Sequence, residues 1–159
     1  MRQNQLTKIE KYTFAGSTVT RLFLQRNKIA FIEPGAFHGL NLSLLDLGRN
    51  EITTIERNTF SGSSIRKLSL YANKIEIIEA NAFVDVQNLQ DLVLVSNRIT
   101  KITRDVYQFP GLKFLHLMDN NISKLSVADF EQVSHVRLLF LGYEDYLRRY
   151  ESYLRESES

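Results

Sequence analysis

Apolar and polar residues alternate in short runs along this chain, the runs are followed by sparser apolar positions at fixed distances, and the whole arrangement recurs. Leu42-Ser43-Leu44-Leu45-Asp46-Leu47-Gly48-Arg49-Asn50-Glu51-Ile52 and Leu89-Gln90-Asp91-Leu92-Val93-Leu94-Val95-Ser96-Asn97-Arg98-Ile99 both read L-x-x-L-x-L-x-x-N-x-I. Further copies start at Val19, Ile65 and Leu112, and an incomplete one at Val136. The asparagines Asn4, Asn27, Asn50, Asn73, Asn97 and Asn120 follow one another at steps of 23, 23, 23, 24 and 23. Five residues after each stands Ile9, Ile32, Ile55, Ile78, Ile102 or Leu125, and ten after each an aromatic, Phe14, Phe37, Phe60, Phe83, Tyr107 or Phe130. Three registered columns over most of the chain define an internal repeat.

Each column has a physical reason. The L-x-L core has the two-residue period of a strand, which turns alternate side chains inward. A single short strand cannot bury its apolar face, but stacked copies form a parallel sheet over a shared core. The asparagine column marks where the chain turns inward, and there its amide can satisfy backbone groups that would otherwise be buried unpaired. The aromatic column fills the convex side of the core. The spacing divides the chain into a solenoid over 1–142 and a tail over 143–159. The solenoid holds a partial repeat (4–18), full repeats at 19–41, 42–64, 65–88, 89–111 and 112–135, and a last strand at 136–142.

Phe14-Ala15-Gly16, Phe37-His38-Gly39 and Phe60-Ser61-Gly62 place a Phe-x-Gly in the second half of the unit. With the L-x-x-L-x-L-x-x-N core, this resembles the typical class of leucine-rich repeats, whose unit of about 24 residues carries a Phe there. The resemblance runs from residue 4 to about 142. It implies an α/β-type repeat solenoid: a curved horseshoe segment with a parallel sheet on the concave face and an irregular or short-helical convex side. It also implies non-catalytic recognition of a protein or glycan, of the kind known from animal extracellular receptors and matrix proteins. Such ectodomains carry cysteine-rich caps, whereas this chain has Cys 0 and no signal-like start, so it is expected to be a fragment of a larger exported protein. A cytosolic scaffold or a microbial effector is the alternative, which the lack of cysteine favours. The sequons Asn41-Leu42-Ser43 and Asn121-Ile122-Ser123 do not decide the compartment.

In the tail, Tyr143, Tyr146, Leu147, Tyr150, Tyr153 and Leu154 fall at helical spacing, and Glu144 with Arg148, Asp145 with Arg149 and Glu151 with Arg155 are acid-before-base pairs four apart. An amphipathic helix of about 13 residues is expected, marginal on its own in water. Three roles stay open for it: a cap on the last repeat, self-association or partner docking, and a disordered tail.

Residues between the inward positions of each strand should line the concave face. There Arg21, Phe23, Arg26, Arg49, Lys67, Tyr71, Val93, Val95, Phe114, His116, Met118 and Phe140 are the candidate partner-binding residues. The N-terminal half of this lining is basic and the C-terminal half apolar. The apolar cluster marks an interaction site or lies beneath a folded-back tail. Six strands about 4.8 Å apart span roughly 24 Å, a footprint at or below the about 800 Å² per partner of a standard interface.

Composition narrows the function further. With 20 Lys plus Arg against 18 Asp plus Glu, a net charge of +2 is too small for phosphate-driven nucleic-acid binding. No apolar run is long enough to span a membrane. There is no Gly-rich phosphate loop, H-E-x-x-H or G-x-S-x-G, and His38, His116 and His135 are far apart in repeat register. Neither cofactor, metal nor catalytic residue is expected.

Overall fold

The computed structural model describes residues 4–83, 85–103, 106, 111–122 and 137–138. Each L-x-L run forms a strand: β2 (Arg21–Phe23), β4 (Asn41–Asp46), β6 (Ser64–Ser69), β8 (Asp91–Val93), β9 (Phe114–His116) and β10 (Arg137–Leu138). They make one parallel six-stranded sheet in the order β10-β9-β8-β6-β4-β2, so each repeat pairs only with its neighbours. Register runs straight across it, Arg21 to Leu44 to Lys67 to Asp91 to Phe114 to Arg137. Short strands on the far side, β1 (Lys8–Ile9) with β3 (Phe31–Ile32) and β5 (Thr54–Ile55) with β7 (Ile77–Ile78), pair the isoleucine column in the same parallel sense.

The inward residues form one continuous core. Leu24, Leu45, Leu47, Leu68, Leu70, Leu92, Leu94 and Leu115 are fully buried, and burial of each such side chain contributes about 1.5–3 kcal/mol. Phe14, Phe37, Phe60 and Phe83 stack as a spine behind them, with centroids 5.9, 5.7 and 5.8 Å apart and near-parallel planes. Ring contacts of this kind add about 0.5–1.5 kcal/mol beyond burial. Tyr107 and Phe130, the next members of this column, lie outside the described residues.

The asparagine column is a hydrogen-bonded ladder that stitches one coil to the next. Asn50 Oδ1 accepts from Ile29 N–H at 3.1 Å, while its Nδ2 donates to Leu24 O at 3.1 Å and Leu47 O at 2.9 Å. Asn73 repeats the pattern with Ile52, Leu47 and Leu70, Asn97 with Ile75, Leu70 and Leu94, and Asn120 with Ile99, Leu94 and Leu117. Each side chain thus satisfies backbone groups of two coils at once.

Two sets of turns went unread in the sequence. The residue before each asparagine is left-handed: Arg26 (φ 57), Arg49 (φ 53), Ala72 (φ 52), Ser96 (φ 55) and Asp119 (φ 54). On the convex side, the glycines of Phe-x-Gly, Gly16, Gly39 and Gly62, hold φ of 74, 80 and 71, where a Cβ is unfavourable. A glutamate column also follows the isoleucines. Glu33 accepts from Lys11 N–H, and Glu79 from Arg57 N–H, both at 2.8 Å across coils. Hydrogen bonds from the Lys8 ammonium and the Lys11 amide hold the Glu33 carboxyl below its ordinary value.

The longer step between Asn73 and Asn97 is absorbed at one point. Ser64 still pairs with Gln87, but Lys67 pairs with Asp91, so one extra residue enters between them. Asn88 takes it up as a bulge with φ 61, and its Nδ2 donates to Ser64 Oγ at 2.9 Å. The expected solenoid and concave parallel sheet are present. Of the expected irregular or short-helical convex side, the irregular form is found: turns and two-residue strands fill it, and no α-helix occurs among the described residues. The predicted tail helix over 143–159 lies outside the described residues.

Candidate binding face

The concave surface is a grid whose rows run across the strands. The first row, at the N-terminal ends of the strands, holds Thr20, Ser43, Arg66, Gln90 and Lys113, and the last holds Arg26, Arg49, Ala72, Ser96 and Asp119. Both rims are open: Thr20, Arg66, Lys113, Arg26, Arg49 and Asp119 are exposed. The rows between them are closed at their centre, while Arg21 on the first strand is exposed and Phe23, Tyr71, Asp91, Phe114 and Met118 are partly so. Leu44, Asp46, Ser69, Val93 and Val95 have no accessible surface, while Lys67 and His116 retain 7% and 5%.

This corrects the expectation that the whole lining faces solvent. Among the candidate residues, Arg21, Arg26 and Arg49 are exposed, and Phe23, Tyr71, Phe114 and Met118 are partly buried. Lys67, Val93, Val95 and His116 are buried, and Phe140 lies outside the described residues. Val93 and Val95 form a small apolar cluster of their own against Tyr71 and Met118. Tyr71 can lie low over the sheet because its neighbour in the row is Gly48, where a Cβ would come within 2.5 Å of the ring. Arg49 Nε donates to the Tyr71 hydroxyl, and its guanidinium sits 5.5 Å from the ring centroid.

Lys67 and His116 are tolerated in the interior because Asp91 lies between them. Lys67 Nζ is 3.1 Å from Asp91 Oδ2, and His116 Nε2 is 3.0 Å from Asp91 Oδ1. The second contact is close, but its atoms fall short of hydrogen-bonding alignment, so its attraction depends on charge on the imidazole. Burial pushes the Asp91 carboxyl up, and the His116 contact together with the Lys67 ammonium outweighs it, leaving the group below its ordinary value. Asp91 is not among the candidate residues read from the sequence. Its position across the sheet from Lys67, 24 residues on, was the available signal.

Two clefts open along the first rim. One of about 400 Å³ is lined by Thr20, Asn41, Ser43, Ser64, Arg66 and Gln90. A smaller one of about 190 Å³ lies between Arg66, Lys67, Gln90, Asp91 and Phe114. Arg66 borders both; in the larger it stands beside neutral amides and hydroxyls, an arrangement suited to holding an anionic or polar group, whereas the smaller also carries the Asp91 carboxylate. Among the described residues no cluster of His, Asp and Glu could hold a metal ion, and no helix is long and apolar enough to cross a membrane.

No curated protein matches the chain significantly. The family model for the BspA type Leucine rich repeat region matches residues 7–137 in 6 copies. This corrects the likeness to the typical class of animal receptors. That likeness rested on a Phe in the second half of the unit and a period near 24, which a stacked ring spine and a tight coil impose on more than one class. By the extent of that match and by the coil geometry, the chain belongs to the BspA-type leucine-rich-repeat family.

Proposed function

We propose that this chain is a non-catalytic recognition module that binds an acidic protein surface, or an acidic glycan, through the N-terminal half of its concave face. Leucine-rich repeats serve as protein-interaction modules, which supports the coarse reading. The basic rim carries the finer one. Arg21, Arg26, Arg49 and Arg66 are exposed on the first three strands of the sheet, and Asp46, the acid among the lining residues there, is sealed. Arginine suits this use because its planar fork of donors matches carboxylates and loses little freedom on binding. The polar cleft beside Arg66 gives the same partner a shallow seat. Rim charges of this kind set association rate and salt dependence more than tightness. The face serves equally in a receptor segment and in an intracellular scaffold.

Affinity capture with the native chain and with Arg26→Glu/Arg66→Glu tests the reading. A partner held by the native chain should be lost or weakened by about tenfold in the variant, and its binding should fall with added salt. The circular dichroism spectrum should not change. Capture that ignores both charge reversal and salt would sink the acidic-partner reading.

A further inference from the structure

The larger cleft on the first rim is built where the repeat departs from regularity. β4 and β6 run six residues, from Asn41 and from Ser64, whereas β2 and β8 begin at Arg21 and Asp91 and run three. The two longer strands thus carry a further polar pair, Asn41 beside Ser64, beyond Ser43 and Arg66. The single 24-residue step between asparagines places its extra residue, Asn88, next to that pair. A bulge re-aims the side chain it carries, and here Asn88 Nδ2 is fixed on Ser64 Oγ at 2.9 Å. Ser43 Oγ is held as well, donating to Thr20 O at 2.9 Å. The resulting cleft of about 400 Å³ offers the amides of Asn41, Asn88 and Gln90, three hydroxyls and the Arg66 guanidinium. Small-molecule sites fall in the range of roughly 300–1,000 Å³.

We propose that this cleft is a subsite for one acidic sugar residue, a hexuronate of an anionic polysaccharide. The proposal rests on the reading of a basic, acid-binding face, and it chooses between the two partners named there. Charge comes first. Among the described residues that line the cleft there is neither an acid nor an aromatic ring. A neutral sugar therefore has no stacking face, and a carboxylate meets no like charge. Asp91 in the neighbouring cleft is engaged by Lys67 and His116, and Arg66 makes no ion pair with a described residue. Its planar fork of donors matches a ligand carboxylate. The neutral groups then separate sugar from protein. An aspartate or glutamate of a protein partner offers one carboxylate and leaves the surrounding amides and hydroxyls unused. A hexuronate carries hydroxyls on adjacent carbons beside its carboxylate, each both donor and acceptor. One amide side chain supplies both kinds of partner, and those of Asn41 and Gln90 bond no described residue.

Tetramers of galacturonate, glucuronate and mannuronate are the probes. Their carboxyl-reduced forms and an end-capped tetraglutamate peptide of equal charge are the comparisons. In titration calorimetry of the native chain, at least one uronate should bind about tenfold or more tightly than its reduced form and the peptide. Asn41→Ala/Gln90→Ala should weaken that binding by about tenfold or more, as the loss of two hydrogen bonds implies. Peptide binding and the circular dichroism spectrum should not change. Asn88→Gly keeps the left-handed turn and should weaken uronate binding with the same selectivity, whereas Arg66→Gln should weaken uronate and peptide alike. Equal affinity for uronate and peptide, no binding of any uronate, or uronate binding indifferent to the amide substitutions overturns the proposal. Equal affinities that are both lost in Arg26→Glu/Arg66→Glu leave the acidic-partner reading standing. That reading fails separately, through capture insensitive to charge reversal and salt.

Discussion

At the scale of the residue, two side chains have consequences out of proportion to their size. Asn73 satisfies Ile52 N–H, Leu47 O and Leu70 O from a position 7% exposed. Asn73→Ala leaves the Ile52 N–H buried without its acceptor, a loss of about 1–3 kcal/mol, while Leu47 O and Leu70 O each keep a bond from Asn50 and Asn97. Urea unfolding should show the variant destabilised by about 1–3 kcal/mol, and no measurable effect would mean that water or relaxed backbone takes over the bond to Ile52 N–H. Asp91 has a different signature, written in pH. Its carboxyl is held below the ordinary value in the folded chain. Its contribution is therefore complete above the unfolded value of 3.8 and is lost as pH falls through the folded one. Asp91→Asn should cost about 1–3 kcal/mol near neutrality, with the gap from the native chain closing as pH drops below that value. A gap that stays constant with pH would show that the charge of Asp91 does not hold Lys67 and His116.

At the scale of the element, stability comes from columns that cross the coils and not from any one coil. No coil has a closed core: Phe60 is packed between Phe37 and Phe83, which belong to the coils before and after it. Phe60→Ala removes a fully buried ring and both stacking contacts, and should cost about 3–5 kcal/mol. Phe31→Ala, at 40% exposure on a convex strand, should fall well short of that. Thermal melts of the two variants side by side make the comparison, and similar losses would contradict a spine-centred core. The columns were legible in the sequence because Asn27, Asn50, Ile55 and Phe60 each demand one residue type at one spacing. The left-handed turns were not, because Arg26, Arg49 and Ala72 are not residues that announce positive φ. There the asparagine ladder dictates the backbone, and the residue before it adapts.

At the scale of the whole molecule, alternation along each strand separated the core from the concave side correctly, yet it misjudged the middle of that side. Period two says which way Val93 and Val95 point, not that Tyr71 and Met118 pack against them. Of the basic lining, Arg26, Arg49 and Arg66 lie beyond the closed centre and are exposed, whereas Lys67 is buried against Asp91. The bulge at Asn88 has a consequence for how the chain finds this arrangement. A coil built from identical units could assemble one unit out of step, with every column satisfied and the wrong partners beside each other, within one chain or between two. The bulge makes one interval differ from the rest, so a slipped assembly leaves a strand out of phase and turns its inward residues outward. Asn88 therefore gives a self-similar chain a fixed address, from which every other unit can be counted in only one way.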